Sequence, residues 1–111
     1  MAADLFNNGQ VEVIFTSWAQ KGSYQNGYLH IVDGKGRPIY RGELPAPRSS
    51  SESWNGGLPA PTLANIDSDP DLEVIILTSS SGVVVYDLPD TANARILWGT
   101  GRGNFSRTGS K

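Results

Sequence analysis

The sequence contains no cysteine, a single histidine and no long run of apolar residues. The absence of cysteine excludes disulfides, thiolate metal sites and thiol catalysis together. The one histidine, His30, lies within an alternating strand pattern, and no sequence signal places it in a Ser-His-Asp arrangement. No stretch approaches the ~18 apolar residues of a membrane span, and the N-terminus lacks the apolar core of a signal peptide. The sequence therefore indicates neither a catalytic centre nor a membrane segment.

Charge of one sign is also scarce. The formal net charge is -2 over 111 residues, and the 9 Lys and Arg residues are scattered without forming a run. Proteins that bind nucleic acid or anionic membranes concentrate positive charge on one face or in one segment. We therefore expect neither nucleic acid nor a membrane as a partner.

Turn-forming residues are abundant, with 13 Gly and 7 Pro. Apolar residues alternate or cluster in fours and fives, and no long segment repeats at helical spacing. Gly and Asx turns separate the strand-like segments. The pattern predicts an all-β protein with strands within residues 11–18, 28–33, 37–43, 72–79, 82–88 and 94–99.

The chain contains two related stretches. "ADLFNNGQVEVIF" (3–15) aligns with "ANIDSDPDLEVII" (64–76) at an offset of 61 residues. Further along, "YLHIVD" aligns with "GVVVYD" at an offset of 54, which pairs Asp33 with Asp87. A repeat of this length, containing about four strands, is typical of a β-propeller blade.

The second stretch carries a more specific pattern. Alternate acids, then Glu-Val-Ile-Ile, then Gly and a strand that ends in Tyr-Asp, resemble the FG-GAP or VCBS-type repeat of integrin α-subunits and many bacterial secreted proteins. The tail "WGTGRGNFSRTG" (98–109) is similar to the segment that closes bacterial propellers of this type. The resemblance implies two four-stranded antiparallel blades. Residues 1–59 form the first, with an incomplete inner strand, and residues 60–111 form the second with the closing segment. It also implies an extracellular or periplasmic location, although this chain shows no signal peptide.

The acidic hairpin before the apolar strand 72–79 is a candidate calcium loop by the same resemblance. Ca²⁺ takes roughly six to eight oxygen ligands, and a tight loop directs alternate side chains inward. The expected ligands are the Asp71 backbone carbonyl and the side chains of Asn65, Asp67, Asp69 and Glu73. Pro70 stands where such loops carry Gly, so a second reading stays open: a metal-free turn held by side-chain to backbone hydrogen bonds. In the first stretch Phe6 replaces an acid, and we expect no metal there.

Four aromatic residues lie at strand ends or in loops rich in Gly, Asn, Gln and Ser: Trp18, Tyr24, Trp54 and Trp98. Aromatic faces beside amides and hydroxyls are what a glycan-binding groove requires. The alternative is that these side chains pack between blades or plug loops.

Two blades cannot close a propeller, which has about four to eight. We expect the ring to be completed by about two to four copies of the chain, or by the remaining blades of a larger propeller. The predicted function is a non-catalytic module for binding or assembly, with a glycan or protein ligand. The alternative is an accessory part of a secreted carbohydrate-active enzyme such as a polysaccharide lyase. We further expect the C-terminal segment to pack on the first blade or on the equivalent blade of a neighbouring copy. The strands "EVIIL" and "VVVYD" should be central in their blade and buried on both faces, with negligible exposure of Val74, Ile76, Val83 and Val85.

Overall fold

The computed structural model describes residues 1–18, 26–45, 56–57, 60–79, 81–104, 106 and 108. Eight strands and no helix occur in these residues, which confirms the all-β prediction. The strands are β1 (Ala2–Asp4), β2 (Glu12–Ser17), β3 (Tyr28–Val32), β4 (Pro38–Glu43), β5 (Thr62–Ala64), β6 (Leu72–Leu77), β7 (Val83–Leu88) and β8 (Arg95–Trp98). A helix long and apolar enough to cross a bilayer does not occur in this described part of the chain.

The strands form two antiparallel sheets, of five strands in the order β4-β3-β2-β1-β8 and of three strands in the order β5-β6-β7. The expectation of four strands in each was wrong because β8 leaves the second half of the chain and pairs with β1, placing Trp98 opposite Ala2. The inner strand of the first half is also not shorter than that of the second, since β1 and β5 each have 3 residues.

Strand pairing is equivalent in the two halves of the chain, residues 1–59 and 60–111. Four residue pairs show this: Ala3 with Glu12 and Val13 with Val32 in the first half, and Ala64 with Glu73 and Val74 with Tyr86 in the second. The first and third pairs are related by the offset of 61 residues found in the sequence. The fourth pair combines that offset on its first strand with the offset of 54 on its second. The aligned stretches therefore occupy matching positions in their sheets.

One apolar core lies between the two sheets. Ile14, Leu29 and Ile31 of the first sheet belong to the same buried cluster as Val74 and Ile76 of the second. Side chains alternate between the two faces of a strand, so each sheet contributes one face to this core. The burial of Val74 and Ile76 was predicted correctly.

The prediction was wrong for the neighbouring strand β7. Val83 and Val85 are exposed, because they lie on the face of the three-stranded sheet that points away from the core. On that strand, the core side of the sheet is occupied by Val84, Tyr86 and Leu88.

In its described part, the C-terminal segment folds back over Trp98, and the expected packing on the first sheet is seen for this residue, which β8 places opposite Ala2. Trp98 is half-buried, and a Cβ on Gly103 would lie 3.0 Å from the indole, so the chain folds back closely over this ring. Directly after β8, the Gly99 carbonyl accepts a hydrogen bond of 2.8 Å from the Leu63 N–H of β5. The segment thus joins the inner strands of both sheets. Phe105 and Arg107 lie outside the described residues.

Candidate metal site

The loop between β1 and β2 is closed by its own hydrogen bonds. Both carboxylate oxygens of Asp4 accept backbone N–H groups, from Asn8 at 2.9 Å and from Gly9 at 2.8 Å. The buried Glu12 carboxylate accepts the N–H of Leu5 at 2.9 Å. Gly9 has a φ of 83°, a conformation that favours glycine. This loop satisfies its acidic groups with backbone donors.

The matching loop between β5 and β6 keeps one of these bonds and changes the rest. Glu73 Oε2 accepts the Ile66 N–H at 2.7 Å, as Glu12 does for Leu5. Pro70 replaces Gly9 and cannot adopt a positive φ. No residue in 65–71 has a positive φ, so the backbone of the second loop follows a different path.

Side chains also hold this second loop, and one of its bonds, from Asp71 to Asp69, matches the bond of 2.9 Å from the Gln10 N–H to Asn8 Oδ1 in the first loop. Asp67, which stands where the first loop has Phe6, accepts the Asp69 N–H through Oδ1 at 2.9 Å. Asp69 Oδ1 accepts the Asp71 N–H at 2.9 Å, and the Asn65 side-chain amide donates to the Asp69 carbonyl at 2.7 Å. The hydrogen-bonded turn of the second reading is therefore present. Asp67 and Asp69 each accept their backbone hydrogen bond through Oδ1.

The carboxylates of the loop converge at a spacing suited to a cation. One oxygen each from Asp67, Asp69 and Glu73 lie within 4.8 Å of one another, and so do oxygens from Asp69, Asp71 and Asp87. Ca²⁺ holds oxygens at ~2.3–2.6 Å, so two ligands of one ion are separated by up to ~5 Å. Either group can therefore surround a single ion.

Glu73 supplies the observation that separates this loop from an ordinary acidic turn. The residue is 2% exposed, and its Oε1 has no hydrogen-bond partner. Within the described part of the chain, no other buried side-chain oxygen or nitrogen lacks a partner, and this includes the equivalent Glu12. An unsatisfied buried polar atom costs about 1–3 kcal/mol, and more when it is charged. A cation beside Oε1 would remove that cost, so the residues present fit a metal ion.

Asp87 is a member of the site that the ligand prediction missed. It pairs with Glu73 across β6 and β7, so the sheet register carries it to the mouth of the loop. Partial desolvation, followed by the negative charges of Asp69, Asp71 and Asp67, raises the pKa of Asp87 above its ordinary value. The signal available in the sequence was the alignment of Asp33, the residue after β3, with Asp87 near the end of β7.

Asp33, the equivalent of Asp87 in the first half, lies beside a positively charged side chain. Asp33 accepts the backbone N–H groups of Lys35 and Arg37, and forms an ion pair with Arg37 Nε at 2.7 Å. The Arg37 backbone hydrogen bond, as the largest cause, lowers the pKa of Asp33. Asp33 therefore has a cation of its own, whereas the charges that act on Asp87 are all negative.

Asp71 is placed differently from the prediction, which gave it only a backbone carbonyl as ligand. Its carboxylate is in the second acidic group and also accepts the Thr91 N–H at 2.9 Å. The buried Thr91 hydroxyl donates to the Leu88 carbonyl and accepts the Leu72 N–H. These bonds connect the acidic loop to the turn that follows β7.

The four predicted aromatic residues are not gathered into one groove among the described residues. Trp18 is exposed beyond the end of β2, whereas Trp98 is half-buried at the end of β8. Trp98 is opposite Ala2, which is opposite Val13, and Trp18 lies five residues further along that strand. This separation is ~17 Å at the rise of an extended chain. The other two predicted residues lie outside the described part of the chain: Tyr24 and Trp54.

His30 lies on the outer face of the first sheet, stacked on Phe15 with ring centroids 4.7 Å apart. Its Nε2 is 2.9 Å from Ser17 Oγ, and within the described residues no carboxylate bonds to the ring. Desolvation, and then the charge of Arg41, lower the pKa of His30. Among the described residues, the arrangement therefore brings together a serine and a histidine without the carboxylate that a catalytic triad requires.

An apolar cleft of about 310 Å³ opens between the two sheets, lined in part by Leu29, Ile31, Tyr40, Tyr86 and Leu88. It marks where the two sheets separate toward the surface.

Comparison of the chain with protein-family models, curated proteins and solved structures found no match. The features of the chain that bear on its function are therefore the acidic loop and the packing of the two sheets.

Proposed function

We propose that the chain is a non-catalytic β-propeller-type module for binding and assembly, in which the acidic loop of the second half holds a structural Ca²⁺. The unpartnered Glu73 Oε1 carries this proposal, because Glu73 is buried and one of its carboxylate oxygens lies within 4.8 Å of oxygens from Asp67 and Asp69. The donors are all hard oxygens, which suit Ca²⁺ better than a transition metal.

The ion would fasten the β5–β6 hairpin to the end of β7. Asp67, Asp69 and Glu73 would bind it directly, with the carboxylates of Asp87 and Asp71 on the β7 side. When bound, Ca²⁺ offsets the mutual repulsion of these carboxylates. The first loop needs no ion, since backbone donors and Arg37 already satisfy its acids.

Thermal unfolding tests the metal role. At 100 times its Kd, a ligand of the folded state adds about 2.7 kcal/mol of stability, or roughly 10 °C in Tm for a chain of this length. Chelation should lower Tm, Ca²⁺ should restore it, and Mg²⁺ should do so poorly because it demands a regular octahedron. Asp69→Ala should remove the calcium response. Asn8→Ala, the same position of the first loop, is the matched control and should retain it. A Tm indifferent to chelator in the unsubstituted protein would reject the metal site.

The assembly part of the proposal is supported by apolar side chains left open on both sheets, among them Phe15, Val83 and Val85. Contiguous exposed apolar side chains are typical of interaction surfaces. The partner is either about two to four copies of the chain or the remaining blades of a larger propeller.

A glycan is the ligand class favoured by the exposed indole of Trp18. A glycan array tests this with Trp18→Ala as the comparison. Binding that the substitution removes supports the assignment, and an array without any binding rejects it.

A further inference from the structure

The two faces of each sheet can be compared position by position, because strand pairing is equivalent in both halves. We define face A by Ile14, Leu29 and Ile31 in the first half and by the equivalent Ile75, Val83 and Val85 in the second. We define face B by Val13, Phe15 and Val32 in the first half and by Val74, Ile76 and Tyr86 in the second. All twelve positions are apolar or aromatic.

Burial of the two faces is reversed between the halves. On face A, Leu29 and Ile31 are 1% and 5% exposed, whereas the equivalent Val83 and Val85 are 63% and 46% exposed. On face B, Ile76 is fully buried and the equivalent Phe15 is 42% exposed. Face A of the first half therefore packs on face B of the second. Face B of the first half and face A of the second remain open.

We propose that the open faces are covered by further copies of this chain, with face A of the second half of one copy packed on face B of the first half of the next. The inference rests on the proposed assembly function and identifies its partner. The chain itself shows which surface suits each face, because it already contains one A-on-B contact in its core. Repeating that contact between chains buries Val83 and Val85, positions whose equivalents are core residues.

Such an interface is heterologous, since it joins two different surfaces. It repeats in one direction and gives a ring if the rotation closes, or a filament if it does not. A symmetric dimer through two A faces would instead bring together surfaces that do not meet within the chain.

The internal contact also predicts which residues meet. Ile31 of face A and Tyr86 of face B line the same cleft between the sheets. Their equivalents on the open faces are Val85 and Val32. Val85 of one copy should therefore lie near Val32 of the next.

Thiol cross-linking tests this pairing without background, because the chain has no cysteine. Val32→Cys and Val85→Cys are prepared as separate proteins, checked for folding by circular dichroism, and treated with a short bifunctional thiol reagent. Head-to-tail packing predicts cross-linked dimers in the mixture of the two and none with either alone. The double variant should give a ladder of higher species. Ala92→Cys, an exposed turn position, replaces Val85→Cys in the control mixture and should give no dimer.

Cross-linking of Val85→Cys alone would overturn the proposal in favour of a symmetric dimer. Absence of cross-links in the mixture, with both proteins folded, would also overturn it. Either result leaves the calcium response of the acidic loop unaffected, so failure of this inference is distinguishable from failure of the metal role.

Discussion

Ile14 and Ile75 occupy equivalent positions in the two halves, and truncating each to alanine should have unequal effects. Ile14 is fully buried between the sheets, whereas Ile75 is half-buried on the open face A. Removing a fully buried isoleucine side chain costs about 2–5 kcal/mol, the lost transfer free energy plus a cavity term. We expect a loss in this range for Ile14→Ala, and on the order of 1–2 kcal/mol for Ile75→Ala in the isolated chain, because less apolar surface returns to water.

The assay is urea unfolding followed by circular dichroism, at a protein concentration low enough to keep the chain dissociated. The midpoint should shift with little change in slope, because the surface exposed on unfolding is nearly constant. At higher concentration the effect of Ile75→Ala should grow toward that of Ile14→Ala, because association buries face A. Equal destabilisation at low concentration, or an Ile75→Ala effect that does not change with concentration, would refute the reasoning.

Three further outcomes are expected. Asp87→Asn should raise the Tm of the calcium-free protein and weaken its calcium response, because desolvation and then the negative charges of the loop raise the pKa of Asp87 and disfavour its ionised form; an unchanged Tm in chelator would contradict this. The pKa of His30 is lower in the folded protein than in the unfolded chain, so protonation of His30 favours unfolding. The contribution of His30 to stability is complete above pH 6.5, its ordinary pKa, and is lost as the pH falls toward the lowered pKa of the folded state. His30→Asn should flatten the stability profile in that window, and an unaltered profile would assign the pH dependence elsewhere. Gly103→Ala should destabilise the protein by about 1 kcal/mol or more, because Gly103 has a φ of 86° and the new Cβ would meet the Trp98 ring; wild-type stability in urea would show that the segment does not pack there.

Much of the fold could be predicted because strand periodicity and hairpin pairing are local. The two offsets found in the sequence reappear in the pairing of Ala3 with Glu12 and of Ala64 with Glu73. The destination of β8 could not be predicted in the same way. Two open strand edges, those of β1 and β7, compete for it, and side-chain packing between the sheets decides which one it joins.

Burial of Val83 and Val85 was predicted wrongly for a physical reason. A strand rich in β-branched residues is suited to burial on both faces, but the sequence does not specify whether the same chain or another one buries each face. The discrepancy is informative, because the equivalent Leu29 and Ile31 are buried within this chain.

The acidic loop was visible in the sequence as alternate carboxylates, whereas the features that distinguish it were not. Asp87 enters through cross-strand pairing with Glu73, and the unpartnered Glu73 Oε1 depends on burial by the surrounding structure. Pro70 stands where the first loop has Gly9, and the positive φ of Gly9 has no counterpart in residues 65–71.

The mass of the protein in solution, measured by light scattering after size exclusion, shows whether the open faces are covered by further copies. We expect a folded species of about two to four times the 11.9 kDa chain, which shifts toward the single-chain mass when Val85→Lys places a charge on face A. A folded, monodisperse species of 11.9 kDa at concentrations well above micromolar, unaltered by Val85→Lys, would contradict it.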